Sequence, residues 1–182
     1  MKILINILLI ILMIQASSFG QVFMTLNGQT SFFSETPLEN ISAENKSTLV
    51  ALNITTKEVA VRIQNVAFKF QNKLMEEHFN ENYIESEKYP LSVFKGKIVE
   101  NIDLQKQGTY QVSVKGILDM HGVKQEHIIK AQIIVDSESI SVTSDFNVKL
   151  QDHKIDIPKL VFEKIAESIA IKNKFTLTPK KL

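Results

Sequence analysis

The sequence predicts a mainly β protein, an eight-stranded antiparallel β-barrel carrying one amphipathic helix and short helical segments. Three observations lead there. Beyond the first twenty residues, most of the chain alternates apolar and polar residues, the period-two signature of half-buried strands. The alternating runs are long, and short turn-forming stretches join them: "KQG" at Lys106–Gly108, "HGV" at His121–Val123 and "DSES" at Asp136–Ser139. Sequential hairpins of that length would expose two open edges if flat, and closure into a barrel removes both.

Taken in order, the chain opens "MKILINILLIILMIQASSFGQ". One lysine, an apolar run from Ile3 to Ile14 and a small-residue exit describe a signal peptide over residues 1–20, the run being short for a membrane span. Cleavage near Gly20 leaves 182 − 20 = 162 residues, so 21–182 is read as one barrel domain, periplasmic or secreted. Candidate strands are Val22–Phe33, Ser47–Thr55, Glu58–Phe70 and Leu91–Ile102, followed by "TYQVSVKGILDM", "HIIKAQIIVD", "SISVTSDFNVKL" and "SIAIKNKFTLTP". In the first of these quoted runs Tyr110, Val112, Val114, Gly116, Leu118 and Met120 share a face. In the third, Ile140, Val142, Ser144, Phe146, Val148 and Leu150 do. Two segments break the alternation. Pro37–Lys46 is read as a short helix with Pro37 near its start, and Asn72–Tyr83 as an amphipathic helix with Met75, Phe79 and Tyr83 on one face. A bulge near Gln64-Asn65 leaves open which face of the first strands points inward.

Composition narrows the function. The leader holds one base, so the remainder carries 21 − 1 = 20 Lys+Arg against 20 Asp+Glu. A balanced chain has no electrostatic reason to seek nucleic acid. With no cysteine, the chain has no disulfide, no thiol catalysis, no cysteine-ligated zinc and no lipidated N-terminal cysteine.

The densest group of chemically capable residues is "LDMHGVKQEHI", with Asp119, His121, Glu126 and His127. On a hairpin, His121 and Gly122 fall at the bend, and Glu126 points away from His127 by alternation. Such a pair of histidines lacks the third ligand and outer support of a metal site. His121 is therefore read as hydrogen-bonded to nearby backbone or facing water. Glu76, Glu77, Glu81, Glu85 and Glu87 read as a solvated helix face, and His78 with Glu77 as acid–base candidates only if they face a cavity. No nucleophile elbow, phosphate loop or dinucleotide pattern is present. The chain is read as a non-enzyme with no metal and no cofactor. Asn45 and Asn53 match the Asn-x-Ser/Thr acceptor pattern, which behind a leader of bacterial character is read as coincidence.

What remains is apolar. Phenylalanines are spread over several strands and both helical segments, and there is no tryptophan. They are ordinary core, or a subset walls an elongated cavity.

Several stretches resemble the YceI-like family of exported polyisoprenoid-binding proteins. These are "EHFNENYIESEKYPLSVFKGKI" with its Tyr89-Pro90, the "L-x-x-H-G-V" bend at Leu118–Val123, and "FNVKLQDHKIDIPKLVFEKI". The family usually shows Asp-Tyr-x-Ile where this chain has Asp152-His153-Lys154-Ile155. The resemblance implies a lipocalin-like barrel and a long isoprenoid chain, of quinone or polyprenyl type, held in its interior. The residues expected to form the wall and mouth are Phe68, Phe70, Met75, Phe79, Phe94, Leu118, Met120, Phe146, Val148 and Phe162, with Pro37–Lys46 and Asn72–Tyr83 shaping the mouth. Expected partners are the apolar lipid and a membrane touched transiently during loading; the oligomeric state, a homodimer being one option, is not set. Competing readings are a filled barrel working through its outer surface, and a metal-assisted enzyme using His121 and His127.

Overall fold

The structure, a computed structural model, describes residues 22–158 and 165–180. The expected leader at 1–20 and Phe162 lie outside the described residues. Nine strands follow in order: β1 (Val22–Glu35), β2 (Asn40–Asn53), β3 (Glu58–Gln64), β4 (Lys69–Phe70), β5 (Leu91–Ile98), β6 (Gly108–Met120), β7 (Val123–Val135), β8 (Ile140–Lys149) and β9 (Ser168–Pro179). All but β4 pair antiparallel around a ring, β1-β2-β3-β5-β6-β7-β8-β9, and β9 returns to β1. This is a closed eight-stranded barrel, as the alternation predicts; β4 is a two-residue strip laid on β2.

Alternation decides what lies inside. The even residues of β6 and β8 and the odd residues of β7 and β9 point inward, which buries Val112, Ile133, Ile140, Val148 and Leu177. The register shift expected near Gln64 falls elsewhere. Between Thr25 and Gly28, β1 gains a residue on β2, and between Gly28 and Thr30, β2 gains one back. Asn45, fully buried, holds the second bulge by accepting from the Ser47 N–H and donating to the Gln64 carbonyl. Its side chain is thus committed inside the barrel and is no glycan acceptor in the folded state. At Gln64 itself β3 ends in a 3-10 turn, Asn65–Ala67, so the run Glu58–Phe70 is two strands and not one.

The two ends of the barrel differ. At one end the β5–β6 connection folds Leu104 inward as a plug, with the Tyr110 hydroxyl donating to the Asp103 and Lys106 carbonyls. β5 therefore stops at Ile98, short of the expected Ile102. At the other end the helical segments gather.

Pro37–Lys46 is not a helix. Thr36 and Glu39 close a tight turn through backbone and hydroxyl hydrogen bonds, and β2 starts at Asn40. Proline suits the second position of such a turn as well as a helix start, and Ile41, Ala43 and Asn45 then follow a strand period. The Asn72–Tyr83 helix exists in altered form. Asn72 is its N-cap, accepting from the Leu74 N–H, and α1 spans Lys73–His78 before widening into a π-helical turn at Phe79–Tyr83.

Candidate ligand cavity

The open end encloses a cavity of about 430 Å³ lined mainly by apolar side chains, with Thr30, Ser34, Glu39, Asn65, Asn72, His78 and Ser92 among them. The strands contribute Phe32, Ile41, Ile63, Leu118, Met120, Phe146, Val148, Ile169 and Ile171. The segment from the 3-10 turn to the π-helical turn adds Phe68, Phe70, Leu74, Met75, Phe79 and Tyr83. A second cavity of about 90 Å³ lies deeper, and Ile63, Ser92, Leu118, Phe146 and Ile171 line both, so these five residues form a neck between them.

The mouth is walled by a cluster of four rings. Phe32 lies 5.3, 5.6 and 5.5 Å from Phe68, Phe70 and Phe79, and Phe79 also meets Phe68 at 5.7 Å and Phe70 at 5.2 Å, centroid to centroid. Tilted and edge-on pairs at these distances are mutually attractive. The cluster ties the helical segment to β1, because Phe32 comes from β1 and Phe79 opens the π-helical turn. The helix is fixed from outside as well. The Lys69 ammonium lies 2.6 Å from the Glu76 carboxylate, which also accepts from the Phe70 N–H. Lys69 holds the Glu76 carboxyl below its ordinary range. Glu76 is thus a tether and not only part of a solvated face.

Two glycines hold the inner passage open. Gly96 on β5 and Gly116 on β6 face each other in register, and the Phe94 ring lies against both. A Cβ on Gly116 would stand 2.3 Å from the Lys95 carbonyl oxygen and 2.7 Å from the Phe94 ring. Without side chains there, Phe94 lies flat along the wall instead of across the lumen.

One seam of the barrel is sealed by side chains. β7 and β8 pair only between Ala131–Val135 and Ile140–Ser144, so their mouth-side halves splay. A 3-10 turn at Leu150–His153 fills the wedge. His153 is fully buried and its Nδ1 donates to the Met120 and Val123 carbonyls, each at 3.2 Å. His127 stacks on His153 at 6.0 Å and meets Phe146 edge-on at 6.2 Å. Burial first, and then the neighbouring His153, push the His127 pKa down, while Asp152 pulls it up.

The "HGV" bend is a two-residue turn, with His121 and Gly122 both at positive φ (53° and 72°) between the paired Met120 and Val123. Its histidine reaches further than local backbone. His121 Nε2 lies 2.6 Å from the Glu85 carboxylate, Nδ1 lies 3.0 Å from the His153 carbonyl, and the ring packs against Tyr89. The cluster thereby fastens three mouth elements together: the β6–β7 turn, the loop after the π-helical turn, and the 3-10 turn after β8. Among the described residues, no group of three or more His, Cys, Asp or Glu side chains converges. Glu126 pairs instead with Lys115 on the outer face.

Of the residues expected to form the wall, Phe68, Phe70, Met75, Phe79, Leu118, Met120, Phe146 and Val148 line the larger cavity, and Phe94 lines the smaller. Phe162 lies outside the described residues. Pro37–Lys46 reaches the mouth through Glu39 and Ile41, as a hairpin and not a helix. His78 does face the cavity rim. Sequence reasoning missed Phe32, Ile63, Ile169 and Ile171. Phe32 carried no clear signal, since its same-parity neighbours Thr30 and Ser34 are polar and the adjacent Phe33 is equally apolar; the isoleucines of β9 looked like any buried pair.

The family model for the YceI-like domain matches residues 13–177. Among solved structures, a polyisoprenoid binding domain from Saccharophagus degradans implicated in plant cell wall breakdown is similar at TM-score 0.76. It is 13% identical, with 88% of this chain and 99% of that one covered. Burkholderia cenocepacia BcnA is similar at TM-score 0.69 and 14% identity, covering 83% and 96% of the two chains. The Campylobacter jejuni YCEI protein is similar at 0.59 and 18%, covering 74% and 81%. No curated protein matches the chain. The structural likenesses concern the fold.

Proposed function

The chain belongs to the YceI-like family, and from that premise we propose that it is an exported carrier that holds a long apolar chain of isoprenoid type in its barrel and performs no reaction. One observation carries the reading: a mainly apolar cavity of about 430 Å³, opening between helical and hairpin elements, extends inward toward a second one. That volume lies within the usual range for small-molecule sites, about 300–1,000 Å³. Burial of apolar area is worth about 25 cal/mol per Å². A flexible hydrocarbon threaded through such a lumen gains affinity along its whole length without a dedicated polar anchor. The polyisoprenoid-binding description of the Saccharophagus degradans relative supports the same ligand class. Among the described residues the histidine and carboxylate nearest the bend, His121 and Glu85, are engaged with each other and with the His153 carbonyl in fastening the mouth.

The test is chemical. Protein purified from its native host without detergent is extracted with organic solvent and the extract analysed by mass spectrometry. About one equivalent of a prenyl-chain lipid per protein chain is expected. A lipid-free protein that also takes up no added squalene would overturn the proposal.

A further inference from the structure

The ladder between β7 and β8 stops at Ala131 and Ser144, and side chains hold the Leu150–His153 turn in the gap beyond. Gln125 Nε2 donates to the Asp152 carbonyl at 2.8 Å and His121 Nδ1 donates to the His153 carbonyl at 3.0 Å. His153 Nδ1 donates to the Met120 and Val123 carbonyls.

Two features leave this seam poised between a closed and an open form. His153 is fully buried, yet among the described residues its Nε2 has no hydrogen-bond partner. That costs free energy, which water admitted to the seam would recover. His127, half-buried, stacks on the same ring, so a proton gained there places a cation inside the stack. The seam is also one ring away from the guest. His127 meets Phe146 edge-on, and Phe146 lines both cavities at the neck. Leu150, which begins the turn, lines the larger cavity, so displacing the turn moves the cavity wall.

We propose that this seam is a proton-operated gate: protonation of His127 parts it from His153, frees the Leu150–His153 turn and hydrates the wall behind Phe146, so that the guest is held less tightly in acid. This deepens the carrier reading by naming its regulation, and rests on it. In the closed seam burial first, and then His153, keep the His127 pKa below its ordinary 6.5, while Asp152 pulls it up. The hydrated seam lets that value return toward 6.5, so acid favours the open form. Affinity is fully present above pH 6.5 and falls as pH drops toward the lowered value. Other charges stand apart from the stack. Gly116 faces His127 across the β6 ladder, and the Lys115–Glu126 and Lys172–Asp145 pairs lie on the outer face. Beyond the turn, His121 and Glu85 hold each other.

The test titrates delipidated protein with squalene, which carries no titratable group, between about pH 7.5 and about pH 5. Wild type is expected to bind about fivefold more weakly at the acid end. His127→Gln, and His127→Phe, which keeps a ring in the stack, should each give a flat profile. Asp152→Asn, which removes the carboxylate that raises the His127 pKa, should move the acid limb to lower pH. NMR titration of the His127 ring supplies a readout independent of affinity: by reciprocity its pKa should be lower in loaded protein than in empty protein. A pH-independent squalene affinity, or an acid limb that persists in both His127 variants, would overturn the gate and leave the carrier intact. So would a His127 titration identical in empty and loaded protein. Absence of squalene binding at every pH would overturn both.

Discussion

The two ends of the barrel are made from the same alternating strands and come out differently. Toward the closed end Leu52, Leu104, Ile140 and Leu177 belong to one buried cluster at 0–1% exposure, Leu52 and Leu177 bordering the smaller cavity and Leu104 and Ile140 lying outside both. At the open end Met120, Phe146, Ile169 and Ile171 also point inward, yet stay only partly covered because they face a cavity. The difference lies in the connections. A loop that turns Leu104 inward plugs one end, whereas the other is roofed by a capped helix, a π-helical turn and an aromatic cluster standing above the space. Filling and vacancy are thus decided by what joins the strands, and each half answers to a different test.

The largest effect is expected at the plug. Leu104→Ala removes a fully buried side chain that borders neither cavity, and should cost about 2–5 kcal/mol in urea unfolding with squalene affinity little changed. A large loss of affinity there would break the division into two halves.

Gly96→Ala probes the boundary. Its Cβ would sit 2.7 Å from the Lys115 carbonyl oxygen and 2.9 Å from the Phe94 ring. We expect a loss of about 1–3 kcal/mol, as for other overpacked sites, and Phe94 driven into the lumen. A lowered capacity for long prenyl chains, with shorter ones less affected, would show it.

At the mouth the balance reverses. Phe79→Ala should weaken squalene binding about tenfold, since one face of the ring borders the cavity, while costing less stability than Leu104→Ala. Glu85→Gln removes the carboxylate from His121, and should cost about 1 kcal/mol or less because Glu85 is partly exposed. It should loosen the mouth, seen as faster amide exchange at the His121–Gly122 turn than at the Asp136–Ser139 turn.

The smallest effect concerns pH. His127 is held neutral in the folded seam, below its ordinary value of 6.5. The unfolded chain therefore takes up this proton first as pH falls. The stability is fully present above pH 6.5 and is lost as pH drops from there towards the lowered folded value. His127→Gln should flatten a shallow fall in thermal midpoint over that window. The lowered carboxyl of Glu76 has the same sign but acts below its ordinary 4.5, so the two effects separate along the pH axis.

How much of this was legible in the sequence follows from the same contrast. The barrel, its strand parity in β6 and β8, and the bend at His121–Gly122 were readable because they rest on local period and turn chemistry. Of the residues expected in the wall, Leu118, Met120, Phe146 and Val148 follow that strand parity and line the larger cavity. Pro37–Lys46 misled because proline opens turns and helices alike, and the deciding contacts, Thr36 with Glu39, lie in the fold. The role of His121 needed Glu85 and His153, which stand 36 and 32 residues away. The hydrogen-bonded line of Thr48, Thr30, Asn173 and Ser144 on β2, β1, β9 and β8 escaped entirely, because these residues meet only once four strands are side by side.

The division between a hollow mouth and a solid base is tested most directly by methyl NMR of delipidated protein loaded with squalene. Contacts from the guest are expected at Met120, Leu118, Ile169 and Ile171, with none at Leu104 or Ile140. Guest contacts at the base, or none at the mouth, would contradict the account.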